Sequence, residues 1–428
     1  MHRSFRDRLR SGNRSSIAMA LAIFCCNAQA LDVPVSDANA LVAAVNNAAA
    51  GHRILLAPGT YSVTSNLNCI ASGTPSQPIE VRAVTARSVL IRFANASGAT
   101  EGFKVSAPHW HFEDLDIAGA CAVDSDCEHA FHFAGNADFA ILRDNRVRDF
   151  NAQLKSNIGT PGQFPDDVLI EGNAFYDTHA RNTANPVTKL DVVGGRRWIV
   201  RANTFHDFQK LLDNTISYAA FLKGNSRDGL FERNLVICER DFSGGVRLGL
   251  SFGGGGTSPG SICEDGACIP EHQNGVMRNN LILNCPDVGI YLNSATTSRL
   301  EHNTLYNTNG IDVRFAASSA EVRNNLLSGQ IRNRDGGSST QQGNLTQISL
   351  PSFSAWFMAP AQADFRLLDG SAFVDLGVPA PLVSDDFCGN GRDDALRDIG
   401  ALEYDGDLPC LTTTGGGIES PLFANGFD

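Results

Sequence analysis

No apolar run in this 428-residue chain is long enough to cross a bilayer. The longest, "IAMALAIFCC" at 17–26, is about half of the ~20 residues that a spanning helix needs. It follows a basic stretch, "MHRSFRDRLRSGNR", and precedes "NAQA", the small-residue ending read by a signal peptidase. Residues 1–30 are therefore expected to be an export signal, with the mature chain starting at Leu31 and no other membrane segment. Positive charge is also scarce: 34 Lys and Arg stand against 46 Asp and Glu, and loss of the leader moves the net charge from −12 to −16. General nucleic-acid binding, which rests on neutralising phosphates, is excluded on that ground. An anionic substrate in a local basic groove is not. The CxxC and His spacings of a zinc site are missing. So is the Gly-Lys-Ser/Thr ending that would make a phosphate loop of "GGVRLGLSFGGGGT" (244–257).

Eleven cysteines are present, two of them in the leader. Export favours disulfides. Cys121/Cys127 and Cys263/Cys268 are close pairs, Cys388/Cys410 would staple the C-terminal segment, and Cys238 and Cys285 are placed to stack or pair. The odd mature count leaves at least one thiol free or mispaired.

What the chain does have is a repeat. The phrases "ILRDN", "LIEGN", "IVRAN", "LFERN", "VMRNN", "RLEHN" and "EVRNN" end on Asn145, Asn173, Asn203, Asn234, Asn280, Asn303 and Asn325. A weaker copy, "HFEDLDI", puts Asp114 at the same place, and the successive spacings are 31, 28, 30, 31, 46, 23 and 22 residues. Self-similarity at this period means stacked units, and the units are β-like: alternating apolar residues, few helix formers, Asn or Gly at corners. The reading is an all-β, right-handed single-stranded parallel β-helix with an N-terminal capping helix. Asn suits a fixed corner because it tolerates left-handed backbone and its amides can bond from coil to coil. "SDANALVAAVNNAAAG" (36–51) reads as the cap, begun by Ser36 or Asp37. The expected layout is a leader at 1–30, a β-helix domain at 31–406, and a linker and short tail at 407–428.

Each coil carries a second strand after the Asn corner. Aligning "AFHFA", "TKLDV", "AFLKG", "VRLGL", "IYLNS" and "IDVRF" puts Leu190, Leu222, Leu248, Leu292 and Val313 inward together. His132, Lys189, Asp191, Lys223, Arg247, Tyr291, Asn293, Asp312 and Arg314 then face outward. Lys189, Lys223 and Arg247 fall on neighbouring coils, and like charges so close call for compensation by an anionic ligand, by Asp191 and Asp213, or by a bound cation. A solvated charge ladder is the bland alternative. Large loops at Phe150–Pro165 and His206–Ser217, and the long insertion after Arg247, favour a site.

This set suits β-elimination on a uronate-containing polysaccharide. Lys serves as base if burial and a neighbouring Arg lower its pKa. Arg247 or Lys189 would hold the substrate carboxylate, and Tyr291 or Tyr218 would protonate the leaving oxygen. His132, Asn293, Arg314 and His272, the last returning on the long loop, are further substrate-binding candidates. Gly249 is expected to leave room beside Lys223.

The cap, "ILLAPGTY", the Asn-cornered coils and "DIGALEYDG" resemble bacterial right-handed parallel β-helix proteins of the pectate-lyase-like superfamily. "FLKGNSRDGLFERN" followed by "GGVRLG" is similar to polysaccharide lyase family six, the chondroitinase-B and alginate-lyase group. That resemblance implies Lys223 as base and Arg247 as acid or charge stabiliser. The chain departs from it at the calcium site, where acidic ligands are replaced by Ile216 and Tyr218. No cofactor is required by the sequence. If Ca2+ binds, Asp191, Asp213 or Asn185 would be its ligands. A glycoside hydrolase would need two of Asp191, Asp213 and Asp312 side by side. A non-catalytic secreted binding protein needs only the groove. The expected partner is an acidic polysaccharide, with no nucleic acid, no membrane and a monomeric chain.

Overall fold

The computed structural model describes residues 30–95, 98–159, 162–392 and 396–404. The expected leader, Cys410 and the C-terminal tail lie outside them. Three long parallel sheets of 12, 10 and 10 strands run the length of the chain. Successive coils contribute one strand to each, as in the first sheet's order Leu31–Val35, His52–Leu56, Ile79–Ala83, Trp110–Glu113. This is the expected right-handed β-helix. No helix of the described residues is long and apolar enough to cross a membrane.

The first coil is closed by the helix Ala38–Asn46. Asp37 is its N-cap, its Oδ1 accepting from the Ala40 amide at 2.9 Å, and Leu41, Ala44 and Val45 are its buried face.

Inside, the asparagines form a continuous amide ladder. Each Nδ2 donates to the next Oδ1, from Asn145 to Asn173 at 2.9 Å and on through Asn203, Asn234, Asn280, Asn303 and Asn325. Each also donates to an interior carbonyl, as Asn234 does to Val200 at 2.8 Å. These amides are fully buried, and leaving one unpaired there would cost about 1–3 kcal/mol. Two details differ from expectation. The left-handed residue is the one before each Asn, such as Asp144, Ala202 and Arg233, so the amide is selected for stacking and not for backbone tolerance. In the first copy it is Asp114 that turns left-handed, and Leu115 takes the Asn place, donating its amide to Asn145 at 3.0 Å. The ladder also runs one rung further, to Asn344.

Beyond the coils, residues 350–392 and 396–404 fold back along the flank of the third sheet. Phe353, Phe357, Phe365, Phe373 and Phe387 pack with Leu235, Leu281, Leu283 and Tyr306. That second layer explains why Leu281–Leu283 is buried on both faces. The disulfides Cys121–Cys127, Cys238–Cys285 and Cys263–Cys268 are formed. Cys388 is disulfide-bonded, and Cys69 is the buried free thiol.

Candidate active site

The second strands form one ten-stranded sheet. Its register decides which side chains share the outer face. One outward row runs Lys104, His132, Lys155, Asp191, Phe221, Ser251, Tyr291, Asp312 and Arg332. A second row, two residues on, carries Val193 and Lys223, and further along Asn293, Arg314 and Arg334. The inward rows are Leu190, Ala220, Leu250, Ile290 and Ile311, then Val192, Leu222, Phe252, Leu292 and Val313. Leu190 and Leu222 are thus one pleat apart, and Leu248 pairs with Tyr218 in an outer cluster with Phe221, Val288 and Tyr291. The expected single inward row is corrected. Strict alternation fails at the sheet's edge, where Ala219 and Ala220 both enter the core.

That edge removes two expected cations from the outer face. Lys189 is fully buried and bonds to Asp177 at 2.5 Å and to the Phe150 carbonyl at 3.2 Å. Arg247 is also fully buried, donating to the Gly244 carbonyl at 2.9 Å, to Gln209 Oε1 at 3.0 Å and to the Cys238 carbonyl. It pairs with Ser217, at the opposite end of the strand from Lys223. Both are clamps on the coil corners, and neither faces Lys223.

Lys223 stays on the outer face. Its Nζ donates to the Gly256 carbonyl at 3.1 Å and sits 4.6 Å from the Phe221 ring centre. Burial lowers its pKa; Asp191 and Glu271 work against that, and Lys155 adds to it. The glycines beside it are Gly253–Gly256, not Gly249. A side chain on Gly249 would meet the Gly289 carbonyl at 2.2 Å, inside the fold. The Gly253–Gly256 strap lies over Phe221, where a Cβ on Gly254 would come 2.9 Å from the ring. Asn293 Nδ2 ties the strap down through the Gly254 carbonyl at 2.9 Å, and Glu271 anchors its far end on the Thr257 hydroxyl at 2.6 Å. A Cβ on Gly255 would lie 3.7 Å from the Tyr218 hydroxyl, so that phenol and Lys223 meet the same strap. Burial raises the pKa of Tyr218 and of Tyr291 and keeps both protonated. The Tyr291 hydroxyl accepts from Arg314 at 3.3 Å. Arg314 itself is paired with Asp335 at 2.5 Å, three strands beyond Lys223.

His272 is not on the groove. It stacks on Phe252 at 4.1 Å, bonds to Ser226 at 2.7 Å, and burial pushes its pKa down to about 3. The loop returns it to an internal corner, not over the outer face. His132 does face outward, with Nδ1 2.7 Å from Glu101 and Nε2 3.0 Å from Asn157.

The expected cation ligands do not converge. Asp191 faces Lys155, with Nζ 2.8 Å from its Oδ1. Asp213 is 64% exposed in a loop and 3.7 Å from Lys210. The Asn185 amide donates to the Ser125 carbonyl at 3.2 Å. These residues do not fit a Ca2+ site, and Asp312, held by Arg332 and Arg334 at 2.6 Å each, does not pair with them. Among the described residues, the groups able to hold a metal are Glu101, Glu128 and His129, and His206, Asp207 and Asp241.

The alignment of second strands passed over Ala152–Asn157, and so over Lys155. The signal was present: "AQLKSN" alternates, with Leu154 inward opposite Leu190. The Gly- and Pro-containing run that follows it, 158–165, makes 150–165 read as one loop. Glu101 and Lys104 were missed because the strand Thr100–Val105 precedes the first clear repeat.

A family model described as right handed beta helix region matches residues 129–346, half of the chain, and the chain belongs to that family. No curated protein matches the sequence. Among solved structures, pectate lyase Pel9A is similar over 88% of this chain and 98% of its own, at 14% identity and TM-score 0.51. A GH136 lacto-N-biosidase from Eubacterium ramulus is similar over 75% and 68%, at 10% identity and TM-score 0.51. At these identities the likeness is one of fold.

Proposed function

We propose that this is an exported polysaccharide lyase that cleaves a uronate-containing polymer by β-elimination. The observation that carries the reading is Lys223: an ammonium on the outer face, covered by a glycine strap, with its pKa lowered by burial. A neutral amine so placed can take the proton beside a uronate carboxylate. Tyr218, held protonated beside the same strap, is the donor to the leaving oxygen, in preference to Tyr291, whose hydroxyl is engaged by Arg314. Arg247 has no part in the chemistry. Pectate lyase Pel9A supports the fold as a lyase scaffold, while function rests on the site. The mature protein, incubated with alginate, dermatan, pectate and neutral glycans, is expected to generate the absorbance of unsaturated ends on a uronate polymer alone. New reducing ends without that absorbance would overturn the reading.

One observation favours a second reading, a glycoside hydrolase. Glu101 and Glu128 lie within 4.8 Å of each other beside His129. Burial acts to raise Glu101, but Lys104 and His132 outweigh it and hold it low. Burial and the Glu101 charge raise Glu128. Two carboxyls with pKa values pushed apart are an acid–base pair in form. This reading predicts hydrolysis that is lost in Glu128→Gln.

A further inference from the structure

Along the outer face, one lysine has donors left over after its described partner is met. Lys104 donates to Glu101, and Lys223 donates to the Gly256 carbonyl. Lys155 stands between them in the register, one strand after His132 and one before Asp191. Its Nζ is 2.8 Å from Asp191 Oδ1, one contact for an ammonium with three donors. Among the described residues Lys155 has no hydrogen-bonding partner besides Asp191. Its side chain is 19% exposed, so it is largely desolvated with three donors to place. A largely buried ammonium with donors left unmet is costly unless a further acceptor completes its shell.

The surroundings select the anion. Asp191 lies between Lys155 and Lys223: it pairs with Lys155 in register, and Val193, two residues on, pairs with Lys223. Both lysines act on the Asp191 carboxyl, and with Lys155 the larger influence they hold it below its usual range against burial. With Lys223 as the neutral base, Asp191 balances the Lys155 charge, and the Lys155 donors that Asp191 does not meet are left to face an incoming carboxylate beside the base. In β-elimination, the proton removed is on the carbon that bears the carboxylate, so the group that neutralises this carboxylate must stand near the base.

We infer that Lys155 is the substrate-carboxylate receptor of this site, with Asp191 as its positioning residue, in the place where the sequence suggested Lys189, Arg247 or a bound cation. The inference rests on the lyase reading for its substrate class. Lys155 donates to the uronate carboxylate, and Asp191 holds the Lys155 chain towards Lys223. The ligand is a sugar acid, and a neutral sugar of the same shape does not engage Lys155.

The test measures binding apart from turnover. Affinity electrophoresis of full-length mature protein is run in gels holding either a polyuronate from the panel or the same polymer with its carboxyls reduced to alcohols. Lys155→Gln is expected to weaken retention by the polyuronate by about tenfold and leave retention by the reduced polymer unchanged, with Lys155→Arg restoring most of the loss. Asp191→Asn is expected to lower polyuronate retention less and to raise KM more than it lowers kcat. Equal retention of wild type and Lys155→Gln by the polyuronate would overturn the inference, as would equal losses on both polymers or no retention of the wild type. Should Lys155→Gln not fold, the double variant Lys155→Leu/Asp191→Leu removes both charges together and must show the same selective loss. If retention behaves as expected but no unsaturated ends form, the lyase reading fails and the receptor assignment stands.

Discussion

Lys223 and Arg247 lie on neighbouring strands of one sheet, and the sequence offers them as a catalytic pair. Their surroundings are opposite. Lys223 is on the outer face, with its ammonium under the glycine strap. Arg247 is sealed into a corner by two backbone carbonyls and Gln209. The difference comes from position along the strand. In the middle and towards the end, alternation puts every second side chain outward. At the start, the chain turns into the sheet, and a long side chain is drawn in to satisfy carbonyls that no strand neighbour reaches. A charged residue at a coil corner of this β-helix is therefore a bolt, and one on the flat of the sheet is available for chemistry.

The comparison can be broken most sharply at its two ends. Lys223→Gln is expected to lower kcat at least about a hundredfold with little change in Tm, measured by initial rates and thermal unfolding. Arg247→Met should do the reverse. It leaves buried carbonyls without a donor and costs about 2–4 kcal/mol in denaturant unfolding, with the rate per folded molecule kept. Asn234→Ala, which opens the ladder at Asn203 and Val200, should cost about 2–3 kcal/mol and likewise spare the chemistry.

Gly254→Ala tests the strap beside Lys223. The backbone is left-handed there and the added methyl meets Phe221, so about 1 kcal/mol of stability is lost and activity changes more than stability does. The pH profile sharpens the comparison further. The neutral amine is the active form and burial lowers its pKa, so activity should rise with pH along a limb below the range of ordinary lysine. Asp191 raises that pKa and Lys155 lowers it. Asp191→Asn should therefore move the limb to lower pH, and Lys155→Gln to higher pH. The smallest effect is expected at Asp213→Asn, an exposed loop pair worth at most about 0.5–1 kcal/mol, with no change in rate.

The ladder was readable because one residue type recurs at one corner, and a repeated mark survives variable loop lengths. The outer face was read less well. His132, Asp191, Lys223 and Tyr291 are on it as expected, since each lies on the flat of its strand. Lys189 and Arg247 were misplaced because a register taken from apolar spacing carries no information about where alternation stops, and Ala219 beside Ala220 gives no sign of it. Lys155 is not found with its strand, because the Gly- and Pro-containing run at 158–165 makes the whole of 150–165 read as one loop. His272 was misjudged because a loop's length does not fix which side of the coil it returns to.

The most direct measurement is the specific rate of unsaturated-end formation on one polyuronate, per folded molecule, for Lys223→Gln and Arg247→Met side by side. The account predicts that the absorbance change disappears in Lys223→Gln and persists at the wild-type rate in Arg247→Met. Persistence in Lys223→Gln, or loss in a folded Arg247→Met, would contradict it.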